Sequence, residues 1–369
     1  MKKVFLIMLI GMLVASSFVF TSCSKKENVI KIGAILPLSG PGAPYGLAEK
    51  EGIELAVEEI NKNTINNKII VLFEDTKTEP ATGVTVFNKL TQIDNVNIVI
   101  GALASSVTLA ICPIAEKNHI ILITPGSSSP DISNAGDYIF RMYPSDDYQG
   151  RILAKWAIEN NKNNIAILYL NNDFGVGLKN KFITEYENEE RKIILEVPYD
   201  MGERNFRSYL TKLNKKNIED IFIVAAGEEN ASILIQAKQL GLKKKFFAPD
   251  AFKNENTLKI AGNAAEGVVC TAPKFNLEDD IEITRKFIKD YESKYTEKPN
   301  VFAAYGYTTL KIISKLVNKY GDNIENIKNA LYDYKANEVI GEIEFDGNGD
   351  LVPSIGFYIV KDGKFIEYK

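Results

Sequence analysis

The feature that most constrains the fold is an alternation that repeats along the chain from Val29 onward. A short run rich in β-branched residues is followed by a polar or glycine-rich loop and then by a stretch with apolar residues at helical spacing. This alternation is typical of βαβ units around parallel sheets and predicts an α/β fold. The predicted strands are short and almost wholly apolar, as strands covered on both faces should be. They are Ile30–Leu36, Lys68–Phe73, Asn97–Gly101, Ile120–Thr124, Ile165–Leu170, Lys192–Val197, Asp220–Ala225 and Gly267–Thr271.

Helices are predicted between these strands. In the first of them, Ala48–Asn61, the apolar residues from Ile53 to Ile60 form one stripe, and the acidic residues, Glu49 among them, lie elsewhere on the helix. We expect the stripe to pack on a sheet and the other face to remain in water. Further helices are predicted after Pro80, Ser105, Gln149, Gly175, Asn205, Asn230, Asp280 and Pro299.

The length of the chain predicts two lobes, because the 347 residues that follow residue 22 are more than one hydrophobic core normally serves. The alternation breaks at Arg141–Ser145, and two long helical stretches follow Thr271–Asn276 without a strand between them. We interpret both places as crossings between lobes.

The C-terminal tail has a different character, because three further strands are predicted there: Glu342–Phe345, Ile355–Lys361 and Lys364–Tyr368. The turn Asp362–Gly363 joins the last two as a hairpin. The first lobe is therefore expected to comprise residues 29–143 and 276–341, and the second residues 144–275 and 342–369. Three crossings between the lobes would form a hinge.

Residues 1–22 resemble a lipoprotein signal peptide. Lys2 and Lys3 precede a short apolar run, which is less than the roughly 20 apolar residues that cross a bilayer. Cleavage before Cys23 would make this cysteine a lipid-modified N-terminus. Residues 23–28 would then form a polar tether, and the protein would lie in the periplasm or on the outer face of the cell membrane.

The cleavage site itself departs from the usual pattern. Phe20 and Ser22 stand where lipoproteins usually carry Leu and Gly or Ala. Plain secretion with an uncleaved or differently cleaved anchor therefore remains an alternative.

Composition and motifs exclude several classes of function. Without residues 1–22 the formal charge is −6, from 42 basic and 48 acidic residues, so no nucleic-acid surface is indicated. His119 is the only histidine, which argues against most metal centres and histidine-based catalysis. We predict no metal, no cofactor and no catalytic residue. The segment Asp346–Asp350 is interpreted as a polar turn and not as a calcium loop. Whether Cys112 and Cys270 pair is left open.

The loops after the strands are the candidate binding site, because ligands of open α/β sheets bind beyond the carboxyl ends of the strands. Five loops hold suggestive residues, each with a plain structural alternative. Serines at a helix start also serve as caps, and a lone aspartate after a strand is more often a turn residue. The residues singled out are Tyr45, Ser105, Gly126, Ser128, Phe174 and Asp250.

At these loops the chain resembles the leucine/isoleucine/valine-binding group of type I periplasmic binding proteins, the capture subunits of amino-acid ABC importers. The resemblance extends over essentially the whole chain after the signal peptide. It implies two Rossmann-like lobes with parallel-sheet cores, joined by a three-segment hinge and closing over a small molecule. The stretches that carry it are Ile32–Gly40 with Tyr45–Gly46, Ile98–Ser106, Ile121–Pro130, Ile165–Gly177, Asp220–Gly227 and Gln236–Asp250.

The resemblance also implies a role for each site residue. Ser105 would bind the α-carboxylate of an amino acid, helped by the backbone of Ser128. The hydroxyl of Ser128, the carbonyl of Gly126 and the carboxylate of Asp250 would receive the α-ammonium group. Tyr45 and Phe174 would flank the side chain of the ligand.

Two departures from the family pattern concern the ligand side chain and a disulfide. Gly227-Glu228-Glu229 stands where relatives often place a tyrosine, so that Glu228 would face either a ligand cation or solvent. Lys77 and Ala104 replace a cysteine pair that some relatives carry.

The expected function is that of a monomeric, lipid-anchored solute receptor that is not an enzyme. It would trap an amino acid, branched-chain or similar, and present the closed form to a membrane permease. A sensory receptor that hands its closed form to a signalling partner is an alternative with the same fold. A secreted α/β enzyme is a more distant one, because a fold does not dictate function.

Overall fold

The computed structural model describes residues 28–63, 67–273, 275, 277, 281–352 and 355–368. The predicted signal peptide, Cys23 and most of the predicted tether lie outside the described residues. The strands are β1 Asn28–Leu36, β2 Asn67–Asp75, β3 Ile98–Gly101, β4 Ile121–Thr124, β5 Ile139–Arg141, β6 Ile165–Leu170, β7 Leu195–Tyr199, β8 Asp220–Val224, β9 Lys245–Ala248, β10 Val269–Pro273, β11 Lys335–Glu338, β12 Gly341–Glu344, β13 Ile355–Lys361 and β14 Lys364–Glu367.

The helices alternate with these strands as far as β10. They are α1 Ala43–Asn63, α2 Pro80–Asn88, α3 Ser105–Lys117, α4 Asp146–Glu159, α5 Asp173–Tyr186, α6 Arg207–Leu213, α7 Glu229–Gln239, α8 Glu255–Ala261, α9 Glu282–Tyr295, α10 Val301–Tyr320 and α11 Ile324–Tyr332. No helix in the described part of the chain is both long enough and apolar enough to cross a membrane.

Two sheets form the cores of two lobes. The first lobe is built on a five-stranded parallel sheet with the order β2-β1-β3-β4-β5. The second is built on a seven-stranded sheet with the order β14-β13-β10-β9-β8-β6-β7, in which β13 and β14 are antiparallel to their neighbours and the other pairs are parallel. The predicted α/β fold with two parallel-sheet cores is confirmed.

Both faces of the first sheet are covered. On β1, Ile32, Ala34 and Leu36 pack into a cluster with α1 and α10, whereas Ile35 packs on the opposite face with α2 and α3. Because successive side chains of a strand point to opposite faces, a strand buried on both sides must be apolar throughout. This explains the uninterrupted apolar runs in the sequence.

Two strands begin later than predicted. The side chain of Asn188 accepts hydrogen bonds from the amides of Glu190 and Arg191 at 2.9 and 2.8 Å, and this turn delays β7 from the predicted Lys192 to Leu195. Gly267 has φ +81°, which lies outside the strand region, so β10 begins at Val269. The sequence-based prediction was wrong at both starts.

Some elements were not predicted from the sequence. β5 has only three residues, and β11 is the polar segment Lys335–Glu338 at the surface of the molecule. Neither is long enough or apolar enough to produce a two-residue periodicity. The helices α8 and α11 were likewise missed.

The placement of the tail corrects one expected boundary. Residues 342–369 were assigned as a whole to the second lobe, but β12 pairs with β11, and Ile343, Phe345 and Leu351 pack into the core of the first lobe. The amide of Leu351 also donates to the carbonyl of Arg141 at 2.9 Å. Residues 342–351 therefore belong with the first sheet, and β13 and β14 alone extend the second.

The two remaining cysteines lie in different lobes. Cys112 is on α3 and Cys270 is on β10, and both are buried and free. His119 follows α3 and stacks on Tyr138, with 4.8 Å between ring centroids, and is therefore a structural residue at a helix end.

Candidate functional site

A cavity of about 670 Å³ lies between the two lobes. Its walls are the loops that follow the strands, and its size falls in the range of small-molecule sites. The six residues singled out from the sequence all line this cavity. They lie on three strand-end loops of the first lobe and on loops of the second lobe that face them. The structure thus brings together Tyr45, Ser105, Gly126, Ser128, Phe174 and Asp250. What each of them binds stays a prediction.

Ser105 begins α3 and holds a neighbouring loop in place. Its hydroxyl oxygen accepts hydrogen bonds from the amides of Ser128 and Ser129 at 3.2 and 3.1 Å. The hydroxyl hydrogen of Ser105 and the amides of Ser105 and Ser106, the first two of α3, remain available to an anion, whereas the amide of Val107 donates to the carbonyl of Ala104. The amide of Ser128, expected to help with a carboxylate, donates to Ser105 instead.

Ser128 is oriented from behind by a buried acid. Its hydroxyl donates to Oδ2 of Asp146 at 2.8 Å, and its carbonyl accepts from Nη1 of Arg141 at 3.1 Å. Arg141 is fully buried and also binds Asp350 through Nε–Oδ1 and Nη2–Oδ2, at 2.9 and 2.6 Å. The polar turn that contains Asp350 therefore supports the serine loop through a buried ion pair.

Asp250 brings a buried carboxylate to the cavity from the second lobe. It is 5% exposed, and its Oδ1 accepts the amide of Ala251 at 2.8 Å. Its Oδ2 is buried and accepts no hydrogen bond of good geometry from the described residues, although Tyr143 and Gln149 lie near enough to the carboxylate to stabilise its charge in part. Burial raises the pKa of this carboxyl above its usual range. Such a group is strongly stabilised by a cation that enters the site.

An aromatic cluster forms the wall beside these polar groups. The rings of Tyr45 and Phe302 lie 4.8 Å apart, and Tyr143 stacks on Phe302 at 5.7 Å. Phe174 is half-buried on the opposite, second-lobe side. This wall can accommodate an apolar side chain.

The hydroxyl of Tyr45 is used by the protein itself. It accepts the amide of Gly227 at 2.6 Å and donates to the carbonyl of Ala251 at 3.1 Å, and both partners belong to the second lobe. Tyr45 therefore joins the lobes directly, which the sequence did not predict. The lobes are closed against each other at this point.

Comparison with known proteins fits this arrangement. Residues 29–363 match the family model described as periplasmic binding protein. The chain belongs to the periplasmic binding protein family. It is 29% identical over 338 residues to the leucine-, isoleucine-, valine-, threonine- and alanine-binding protein of Pseudomonas aeruginosa, covering 90% of each chain.

Two solved structures are also similar to this chain over nearly their whole length. One is the leucine-binding protein LivK of Thermotoga maritima, with a TM-score of 0.85 and 28% identity over 92% of this chain and 98% of that one. The other is the branched-chain amino-acid transporter substrate-binding protein LivJ of Streptococcus pneumoniae in complex with isoleucine. Its TM-score is 0.83, with 26% identity over 92% of this chain and 100% of that one.

Glu228 and Glu229, the acidic pair that departs from the family pattern, lie in different environments. Glu229 is buried, accepting the hydroxyl of Tyr199 and the amide of Gly202, both at 2.8 Å. Glu228 is exposed and lines the outer part of the cavity together with Arg204. Glu229 is therefore a structural residue of this periplasmic binding protein, and Glu228 is at the rim.

Phe302 and Tyr143 are among the cavity residues that sequence reasoning missed. The case of Phe302 is instructive. It is the second residue of α10 and belongs to the apolar stripe that packs α10 on the first lobe. A stripe of this kind predicts only a core contact. The one signal in the sequence was the predicted helix start after Pro299, because a ring in the first turn of a helix can lie at the edge of the core, next to a cavity.

Glu49 is also placed differently from the expectation. It was assigned to the wet face of α1, but it is fully buried because α10 packs closely on α1, where Gly306 contacts the carbonyl of Glu49. One carboxylate oxygen lies against Gly126, behind the cavity wall. Neither oxygen has a hydrogen-bond partner among the described residues, and burial raises the pKa of Glu49 well above its usual range.

Replacing Glu49 by methionine is therefore expected to raise the free energy of unfolding by about 1–3 kcal/mol at neutral pH, because an unpaired buried acid is removed. A carboxyl whose pKa is raised on folding contributes full stability below its unfolded pKa, about 4.3, and loses it as the pH rises toward the folded value. The advantage of Glu49→Met should accordingly grow from about pH 4 to pH 7.

Urea denaturation of both proteins at several pH values measures this difference. Glu54→Met on the same helix is the matched control, because Glu54 is 38% exposed, pairs with Lys50 and accepts only a long hydrogen bond, at 3.3 Å, from Tyr295. It should change stability by less than about 0.5 kcal/mol. A Glu49→Met variant less stable than the wild type at every pH would contradict the prediction.

Proposed function

We propose that this chain is an extracytoplasmic solute receptor of an ABC importer, which binds an apolar, branched-chain or similar α-amino acid between its lobes and delivers it to a membrane permease. The observation that carries the proposal is the buried Asp250 carboxylate, which has no oppositely charged partner among the described residues, in the same cavity as Ser105 and Ser128. An acid on one side and hydroxyl groups at a helix start on the other suit the ammonium and carboxylate of a zwitterion.

The assignment of ligand groups follows from this chemistry. The carboxylate would bind the hydroxyl of Ser105 and the first amides of α3. The ammonium group would bind the Asp250 carboxylate, the Ser128 hydroxyl oxygen and the Gly126 carbonyl. The side chain would lie against Tyr45 and Phe174, with Phe302 as a further contact. Because the hydroxyl of Tyr45 is bonded across the cleft, the wall offers the ligand mainly apolar ring surface.

The comparisons support an amino acid as the class of ligand. LivJ of Streptococcus pneumoniae is in complex with isoleucine, and the relative from Pseudomonas aeruginosa is named for five amino acids. The family name places such proteins outside the cytoplasm. That this chain is a monomer, that Cys23 carries a lipid and that residues 23–28 tether the receptor near its permease are parts of the proposal.

Two measurements test this function. Mass spectrometry after denaturation of the purified protein should identify a co-purified amino acid, and calorimetry of the ligand-free protein should give saturable binding of leucine, isoleucine or valine. The bound amino acid should be released unchanged, since no turnover is expected. Failure of all three amino acids to bind a correctly folded, ligand-free protein would overturn the proposal.

Amino-acid affinity is expected to depend on pH through Asp250. Burial raises the pKa of Asp250, so the free protein retains this proton at a pH above the ordinary aspartate range. An ammonium group needs the ionised form, and its binding releases the proton. Affinity should therefore rise with pH, by about tenfold per unit below the pKa of the free protein, and level off above it.

Calorimetry of leucine binding in buffers of different ionisation enthalpy measures the released proton directly. Asp250→Asn is the matched control and should reduce this proton release. Buried Asp146, whose pKa is also raised by burial, would contribute what remains. Affinity that falls with rising pH over this range would contradict the assignment of the ammonium group to Asp250.

A further inference from the structure

Two fully buried polar residues lie behind the proposed ammonium site. Asp146 and Gln149 are in the first turn of α4, directly after the chain crosses from the first lobe to the second. Asp146 belongs to the acidic pair Asp146–Asp147 that marks this crossing in the sequence. The binding scheme described above gives neither residue a contact with the ligand.

These two residues connect the halves of the site by hydrogen bonds. Oδ2 of Asp146 accepts the hydroxyl of Ser128 at 2.8 Å, and Oδ1 accepts from Nε2 of Gln149 at 3.2 Å. Oε1 of Gln149 in turn accepts the amide of Asp250 at 3.2 Å and the hydroxyl of Thr271 at 2.9 Å. A continuous chain of bonds thus leads from Ser128 in the first lobe, through the hinge, to Asp250 in the second.

The directions of these bonds follow from the amide of Asp250, which can only donate. This amide requires the oxygen of Gln149 to face it, so that the amino group of Gln149, which also only donates, faces Asp146. Oδ1 of Asp146 is therefore an acceptor. Burial and the charge of Asp250 raise the pKa of Asp146 well above its usual range, whereas the bond from Ser128 and the nearby Arg141 favour the ionised form. A bound ammonium group favours the ionised form as well.

The consequence concerns the hydroxyl of Ser128. Because its hydrogen is directed to Asp146, the lone pairs of its oxygen are left for the cavity. An ammonium group carries donors only, and it requires an acceptor at this position. A hydroxyl without such a partner could rotate and would have to give up this freedom on binding, whereas the ionised Asp146 holds the Ser128 hydroxyl in the orientation that the ammonium group requires.

We propose that Asp146 and Gln149 are positioning residues for the ligand ammonium group. Asp146 orients the Ser128 hydroxyl so that its oxygen accepts a hydrogen bond from the ligand. Gln149 fixes the positions of Asp146 and of the Asp250 backbone relative to each other across the hinge. This inference rests on the proposed amino-acid function of the same cavity. It adds to that function two residues that do not touch the ligand.

The test is a double-mutant cycle on L-leucine affinity, measured by calorimetry with the full-length mature protein. In Asp146→Asn, the amino group of Gln149 pairs with the asparagine oxygen, so that the asparagine amino group faces Ser128. The hydroxyl of Ser128 must then accept this bond and directs its hydrogen toward the ligand ammonium. Leucine binding should weaken by about tenfold, consistent with one reversed hydrogen bond.

The cycle separates this role from a general structural one. If Asp146 acts through the hydroxyl, Asp146→Asn should cost little in a Ser128→Ala background, because the group it orients is gone. Asp147→Asn is the matched control, since Asp147 lies in the same turn but is exposed and pairs with Arg151 and Lys181. It should leave leucine affinity unchanged.

Each outcome decides the matter. An Asp146→Asn effect of equal size with and without the Ser128 hydroxyl, or no effect at all, overturns the inference while wild-type leucine binding still supports the function. Wild-type protein that binds no amino acid overturns the proposed function itself. If the melting curve of Asp146→Asn shows an unfolded protein, Gln149→Met takes its place, with the same tenfold loss expected and unchanged affinity as the contrary result.

Discussion

Replacing Asp250 by asparagine is expected to weaken leucine binding by about 100-fold or more. The substitution keeps the shape of the side chain but removes the charge that we assign to the ligand ammonium group. Truncating one partner of a buried charge pair typically costs about 2–5 kcal/mol, which corresponds to a factor of roughly 30 to 5,000 in the dissociation constant. Calorimetric titration of both proteins with leucine at neutral pH measures the change.

In the absence of leucine, the same substitution should not destabilise the protein. Oδ2 of Asp250 is buried and accepts no hydrogen bond of good geometry from the described residues, so the ligand-free wild type carries a desolvated carboxyl group whose charged form is disfavoured. Asparagine removes this charge, and the melting temperature of the free protein should not fall. A side chain that destabilises the ligand-free protein but strengthens ligand binding is typical of a residue retained for function at a cost in stability. Unchanged leucine affinity would remove Asp250 from the ammonium site.

The position of Asp250 illustrates what the sequence could predict. The alternation of strands and helices predicts parallel sheets, and the carboxyl ends of parallel strands share one edge of a sheet. Residues directly after predicted strands are therefore brought together whatever the details of the helices. This reasoning placed Ser105, Gly126 and Ser128 in one lobe and Phe174 and Asp250 in the other, and the structure brings all of them to one cavity.

Long-range contacts between polar residues could not be predicted in the same way. Arg141 and Asp350 are 209 positions apart, and neither lies in a local pattern that indicates burial. The ion pair forms only because residues 349–351 lie beside β5. The tail was assigned to the wrong lobe for the same reason, since its short strands carry no information about which sheet they join.

Glu49 and Tyr45 show a second limit. A helical stripe identifies the face that packs on one neighbour, but α1 has two, the sheet and α10. Glu49 is buried by the second of these, which a single amphipathic pattern does not reveal. For Tyr45 the position at the cavity was predicted, whereas the partners of its hydroxyl depend on how the lobes close.

The cross-cleft bonds of Tyr45 lead to the second large effect. Tyr45→Phe is expected to reduce leucine affinity by about 30- to 100-fold and to make the lobes more open. The phenol hydroxyl bonds the amide of Gly227 and the carbonyl of Ala251, and its loss leaves both groups without this partner in the closed form. Two lost hydrogen bonds, with buried groups left unpaired, cost about 2–3 kcal/mol.

This cost falls on the closed form alone, because water can solvate the phenol hydroxyl, the amide of Gly227 and the carbonyl of Ala251 when the lobes separate. Burial raises the pKa of Tyr45, so the phenol keeps its proton and can donate to Ala251. Any ligand that binds between the lobes must then supply the free energy of closure that the phenol supplies in the wild type. Calorimetry measures the loss of affinity, and small-angle X-ray scattering of the free protein measures the opening.

A tyrosine that does not cross the cleft provides the control for this argument. The hydroxyl of Tyr138 donates to Glu325 at 2.6 Å within the first lobe, so Tyr138→Phe removes a hydrogen bond without affecting closure. It should leave leucine affinity and the scattering profile unchanged. If Tyr45→Phe behaves like this control, the contact between Tyr45 and the second lobe does not stabilise closure. If only Tyr45→Phe opens the lobes, one side chain contributes both to the aromatic wall of the site and to the closing of the receptor. The ring of Tyr45 contacts Phe302, and its hydroxyl binds the opposite lobe.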